Sequence, residues 1–122
     1  MSKPTVISKV TSHIEKLLGL NPVPDKNIYL GQSNIIHMQT KHPFDYLKYG
    51  TCISDILDHP DYVYQNPKDG SIEFVKEYSI NNEFVKVAVR ITSNDKYYAR
   101  SLYILNNNRV NNYINSGKLK KV

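Results

Sequence analysis

Three runs in the second half of the chain alternate apolar and polar residues with the period of two that marks a half-buried β-strand. They are Ser71–Tyr78, Glu83–Ile91 and Tyr97–Leu105. In the middle run Val85, Val87, Val89 and Ile91 fall on one face and Phe84, Lys86, Ala88 and Arg90 on the other. The second face is too cationic for a core, so it is either a solvated sheet surface or a floor on which an anion sits. In the third run Ser101 and Tyr103 fall opposite Arg100, Leu102 and Ile104. If Leu102 and Ile104 join Val87 and Val89 beneath helices, Ser101 and Tyr103 stand beside Lys86 and Arg90. The first run is mixed: Ile72, Phe74 and Lys76 share one face, Glu73, Val75 and Glu77 the other, and neither is cleanly apolar.

Asp61–Gln65 adds a shorter strand ahead of these three, and the connections are turn sequences, Pro67-Lys68-Asp69-Gly70, Asn81-Asn82 and Ser93-Asn94-Asp95. Upstream the period changes. Val6, Val10, Ile14, Leu17 and Leu18 lie near helical spacing and predict a helix over residues 5–19, followed by a stiff linker around Pro22 and Pro24. Ile28-Tyr29-Leu30 is a short strand, and Ser33 is placed to cap a helix over residues 34–41 that Pro43 re-aims. Phe44–Gly50 and the stretch carrying Ile53, Ile56 and Leu57 predict two more short helices, and a last one begins among Asn106–Asn108. Helices first, then a meander, then a short C-terminal helix predict an α+β fold, with the helices on one face of a roughly four-stranded antiparallel sheet. A division is expected between residues 1–27, a helix and linker, and the domain proper at 28–122.

With 122 residues, 40% hydrophobic and 22% charged, the chain has the make-up of one ordinary globular domain. No apolar run approaches the roughly 20 residues that would cross a bilayer, and no secretory leader is recognisable at the N-terminus. A single cysteine, Cys52, precludes an internal disulfide and a cysteine-rich zinc site. These features lead to the expectation of a cytoplasmic protein with no membrane partner. The net charge of +5 is unevenly placed: residues 1–95 carry 10 Lys and Arg against 11 Asp and Glu, whereas residues 96–122 carry six against none. A basic end in a chain with ten tyrosines suits a phosphate polymer, and it also suits a simple solubilising tail. The cations and tyrosines open to a nucleic acid are Lys41, Lys86, Tyr103, Arg109, Lys118, Lys120 and Lys121.

The helix over 34–41 carries His37 and Lys41 on one flank, and His42 lies roughly 140° around the axis from His37. The two histidines are therefore not a helical i,i+4 ligand pair, and no CxxC, HExxH or phosphate-cradling glycine motif occurs. No metal and no cofactor is expected. His37 is the stronger candidate for proton transfer and His42 the second, each set against a purely structural histidine. A cluster of cations and hydroxyls with a histidine suits attack by a ribose 2′-hydroxyl on the adjacent phosphodiester, with Arg90 gripping two phosphate oxygens through its planar fork.

The series Ile36-His37-Met38, Lys41-His42-Pro43, Ile53–Val63, Phe74-Val75-Lys76, Val85–Val89 and Arg100–Ile104 resembles the phage-associated branch of the barnase/EndoU/colicin/RelE-like (BECR-fold) nucleases, over residues 28–121. The resemblance implies helices on one face of a four-stranded antiparallel sheet and an RNA-cleaving site on the other. It implies a set made of His37, His42, the strand lysine Lys76 and the hydroxyl of Ser101, where the family often has threonine; Arg90 joins it on the facing argument. The expected activity is that of a metal-independent endoribonuclease, toxin-like or encoded by a phage or mobile element, acting on tRNA or mRNA in a bacterial cytoplasm, with an immunity or antitoxin protein as a possible partner. The alternatives are a non-catalytic module binding a nucleic acid or nucleotide-like ligand on the same face, such as a phage counter-defence protein, and an interaction domain whose tyrosines bury in an oligomer interface.

Overall fold

The computed structural model describes residues 3–122. In chain order the elements are β1 (Thr5–Lys9), α1 (Ser12–Leu18), β2 (Asn27–Leu30), α2 (Gln32–Lys41), α3 (Pro43–Tyr49), a 3-10 turn (Gly50–Cys52), α4 (Ile53–Asp58), β3 (Tyr62–Gln65), β4 (Ile72–Tyr78), β5 (Glu83–Ile91), β6 (Tyr97–Leu105), α5 (Asn107–Asn115) and β7 (Lys120–Lys121). The meander β3 to β6 forms as the alternation predicts. Its turns place Gly70, Asn82 and Asp95 at positive φ (73°, 53° and 59°), a conformation that glycine and the short polar Asn and Asp tolerate best. The sheet is larger than four strands: among the described residues seven run in the order β1-β2-β6-β5-β4-β3-β7, all neighbours antiparallel except β2 beside β6.

One face carries the main core. Ile72 and Phe74 of β4, Val85, Val87 and Val89 of β5, and Ala99 and Leu102 of β6 are buried there against Met38, Tyr49, Ile53, Ile56 and Leu57 from the helices. Burying these side chains, at about 1.5–3 kcal/mol each, contributes most of what holds helices to sheet. The N-terminal segment departs from the expected helix over 5–19. Residues 5–9 instead pair with β2 as an edge strand, and only at Thr11, whose side chain accepts the Ile14 N–H, does α1 begin. The helical stripe from Val6 to Leu18 crosses two elements: Val6 is exposed on β1, which buries Ser8 instead, while Ile14 is buried by α1. Thr5, Val6 and Ile7 are β-branched and suit a strand. Val10 and Ile14 belong to the same core as the meander, so no packing boundary falls at residue 27.

Helices also cover both faces, not one. α5 lies on the opposite side, where Val75, Val110 and Leu119 form a second buried cluster with Tyr62, Tyr64, Phe84, Leu105 and Tyr113 packed around it. This explains the mixed pattern of β4. Val75 is core for α5 while Phe74 is core for the main cluster, so both faces of the strand are partly apolar. Between α5 and α2 the second face is left uncovered.

Candidate functional site

The uncovered strip is a trough floored by β4, β5 and β6. Register fixes its composition: Lys86 lies opposite Tyr103, Ala88 opposite Ser101 and Arg90 opposite Tyr98. The expected juxtaposition of Lys86, Arg90, Ser101 and Tyr103 is thus present. Arg100 is added by a β-bulge. Ala88 pairs with Ser101 but Val89 pairs with Ala99, so Arg100 is the extra residue of β6 and lines the trough with Ser101. Strict alternation sets Arg100 with Leu102 and Ile104; one inserted residue re-aims it.

The histidines arrive from the side. β2 pairs with β6 only at Tyr97 and Tyr98, which leaves the C-terminal half of β6 with a bare edge. The α2–α3 corner covers that edge, and the Asp45 carboxylate accepts the Ile104 N–H at 3.0 Å. Pro43 at the first position of α3 makes the corner at His42. His42 stacks on the Tyr103 ring with centroids 4.7 Å apart and planes 28° apart. His37, one turn and a half earlier, lines a cavity of about 190 Å³ together with Glu73, Lys86, Arg90, Arg100, Ser101 and Tyr103.

Lys76 lies on the other side of the sheet. It shares the core face with Phe74, and its ammonium donates to the His59 carbonyl at 2.8 Å. A strand cannot present Lys76 and Glu73 on one face, and β4 gives the trough Glu73. The resemblance-based lysine therefore does not join His37 and Arg90, and Lys86 and Arg100 provide the cations in its place.

The floor is electrostatically organised. Lys86 is buried, its ammonium 3.0 Å from the Glu73 carboxylate and 4.3 Å from the Tyr103 ring centroid. Burial works against its charge, but the Tyr103 phenol and the Glu73 carboxylate outweigh it and raise the pKa above the ordinary lysine value. Asn66 donates a second hydrogen bond to Glu73, at 3.2 Å. The Arg90 guanidinium reaches Asp69 at 3.0 Å. Asp69 accepts from the Ser71 N–H and hydroxyl, and these bonds, with Arg90, lower its pKa to about 2. Lys86, Arg90 and Arg100 against Glu73 and Asp69 leave the strip with one net positive charge.

The trough opens at both ends. Toward the start of α2 it widens into a hollow of about 750 Å³ lined by Gln32, Asn34, Tyr98 and again His37, Arg90 and Arg100. Toward α5 it continues into a cleft of about 320 Å³ that shares Glu73, Lys86 and Tyr103 and adds Arg109 and Lys118. Lys41, Lys120 and Lys121 are exposed and line none of these three spaces. No three His, Cys, Asp or Glu side chains converge on a metal position among the described residues.

Residues 5–112 match the family described as phage-Barnase-EndoU-ColicinE5/D-RelE like nuclease3. The chain belongs to this nuclease family. The match begins at β1, so the N-terminal strand and α1 lie within the family domain, and it ends inside α5. No curated protein and no solved structure matches the chain. Among the described residues no helix of this nuclease-family domain is long and apolar enough to cross a membrane.

Proposed function

We propose that the chain is a metal-independent endoribonuclease that cleaves RNA, such as tRNA or mRNA in a bacterial cytoplasm, by attack of the 2′-hydroxyl on its own phosphodiester. The observation that carries this reading is the position of His37 at the wall of a trough whose floor presents Lys86, Arg90, Arg100 and Ser101. His37 takes the 2′-hydroxyl proton, the 2′-oxygen bonds to phosphorus, and the 5′-oxygen leaves with a proton given by His42, whose ring stacks on Tyr103 beside the strip. The products are a 2′,3′-cyclic phosphate and a 5′-hydroxyl. Arg90 and Arg100 hold the non-bridging oxygens and Ser101 orients them. Lys86, fixed by Glu73 and Tyr103, supplies positive charge without having to reorganise as charge builds on phosphorus.

The test is incubation of structured and unstructured RNA with the protein in EDTA. Cleavage leaving cyclic phosphate ends is expected, reduced about 10²–10⁴-fold in His37→Ala. Intact RNA after incubation with folded protein ends the proposal. A binding-only reading draws on the ion pairs, because two of the three trough cations already have carboxylate partners. It predicts saturable, salt-sensitive RNA binding with no turnover.

A further inference from the structure

The cleft between α5 and the sheet lies outside the reacting strip, and its outer wall lies outside the family match. Tyr113 and Lys118 follow residue 112, where that match ends. The floor is apolar, with Val75, Val110 and Leu119 buried beneath it. Its rim is aromatic and cationic. The Lys118 ammonium stands 4.6 Å from the Tyr113 ring centroid and 5.4 Å from that of Tyr64, and the two rings are 6.3 Å apart at 49°. Lys68 and Arg109 complete the rim. Among the described residues none of these three cations has a carboxylate within ion-pair distance, whereas Lys86 and Arg90 next door both do. No Asp or Glu follows Asp95 in the chain.

Resting on the ribonuclease reading, we infer that this cleft is a second nucleotide subsite, holding one unpaired base of the RNA beside Tyr64 and Tyr113 and its flanking phosphates on Lys118, Arg109 and Lys68. Continuity supports it. Tyr103 and Lys86 form the partition shared by trough and cleft, so a strand lying over the reacting phosphate runs directly into the cleft. Size supports it too: at about 320 Å³ the space is at the lower end of small-ligand sites, enough for a single nucleoside and too small for a duplex. Tyrosine faces accept any base by stacking, and exposed lysine and arginine follow the backbone, the pattern of single-strand binders. The subsite therefore adds affinity for longer RNA with little base preference.

The experiment pairs binding with cleavage. A fluorescent 2′-O-methyl hexanucleotide, which cannot react, is titrated against wild type and the exposed double variant Arg109→Ala/Lys118→Ala by anisotropy across a salt series. Affinity is expected to fall about tenfold and the slope of log affinity against log salt to shrink by about 1.4, about 0.7 per lost cation. In cleavage, kcat/KM on a hexanucleotide is expected to fall at least fivefold more than on a dinucleotide, which spans only the reacting phosphate. Lys118→Glu gives the same pattern more strongly, and far-ultraviolet circular dichroism checks folding of each variant. Length-dependent binding that needs Arg109 and Lys118 in a protein that cleaves nothing upholds the subsite and sinks the ribonuclease. Cleavage that ignores both residues at every length upholds the ribonuclease and overturns the subsite, as does an acidic protein partner docking there while oligonucleotide affinity stays unchanged. A wild type that binds no oligonucleotide overturns both.

Discussion

The trough and the α5 cleft both offer cations to the same side of one sheet, but they hold them in opposite ways. In the trough Lys86 has a side chain only 10% exposed and sits 3.0 Å from Glu73, and Arg90 is bridged to Asp69. In the cleft Lys68, Arg109 and Lys118 are exposed, none has a carboxylate at ion-pair distance among the described residues, and Lys118 stands over the Tyr64 and Tyr113 rings. The two arrangements suit different tasks. A cation fixed by a buried partner keeps its position whatever the salt, and it contributes little to long-range attraction because its field is largely cancelled. An uncompensated surface cation attracts a polyanion from a distance and is screened beyond about 8 Å at physiological ionic strength. Under the proposed reading, the trough is built for chemistry and the cleft for capture.

The largest break of this contrast is at Glu73. Removing one member of a buried ion pair leaves an uncompensated charge, and Glu73→Ala is expected to destabilise the domain by about 3–5 kcal/mol in urea unfolding. The double change Glu73→Leu/Lys86→Met removes both charges and should recover most of that loss while abolishing cleavage. A cost under about 1 kcal/mol for Glu73→Ala would mean the pair is hydrated like a surface one, and the two regions would then differ only in degree.

Much of this is legible in the chain. The alternation of Glu83–Ile91 assigns Val85, Val87 and Val89 inward and Lys86 and Arg90 outward, and the structure keeps that division. What periodicity does not reveal are the local breaks in it. A bulge at Arg100 changes one residue's face without any glycine or proline to announce it, since its cause is the pairing partner's register. Lys76 escapes for a different reason. Its strand serves two cores, Phe74 below and Val75 above, so no apolar face marks the orientation. The position of His42 is also hidden: helix angle alone puts it far from His37, but Pro43 ends α2 just there and the new helix direction lays the ring on Tyr103.

A smaller effect is expected at Asp69. Asn in its place keeps an oxygen for the Ser71 N–H and hydroxyl but removes the charge facing Arg90. Arg90 then resembles the cleft cations, and Asp69→Asn should raise oligonucleotide affinity a few-fold and steepen its salt dependence by about 0.7. The effect on stability has a definite sign. The Asp69 carboxyl titrates lower in the fold, about 2 against 3.8, so its contribution is complete above pH 4 and is lost as pH falls from about 4 to 2. With side chains about 40% exposed the pair is worth less than about 1 kcal/mol. Asp69→Asn should accordingly be less stable than wild type above pH 5, by less than about 1 kcal/mol, and the difference should vanish as pH falls from about 4 to 2.

The smallest effect on RNA binding and cleavage is expected at Lys76, and it bears on the comparison because the contrast holds only if every cation that matters is on the trough side. Its ammonium donates to the His59 carbonyl on the core side, closing the turn after α4. Lys76→Met keeps the aliphatic stem and deletes that one bond, a change of about 0.5–1.5 kcal/mol in unfolding free energy. Since the sheet itself separates it from His37, Arg90 and Ser101, kcat/KM on RNA should stay within about twofold and the salt slope should not move. A loss of a hundredfold with normal folding would place Lys76 among the reacting groups, require β4 to present its other face to substrate, and undo the division into trough and core sides on which both cation sets depend.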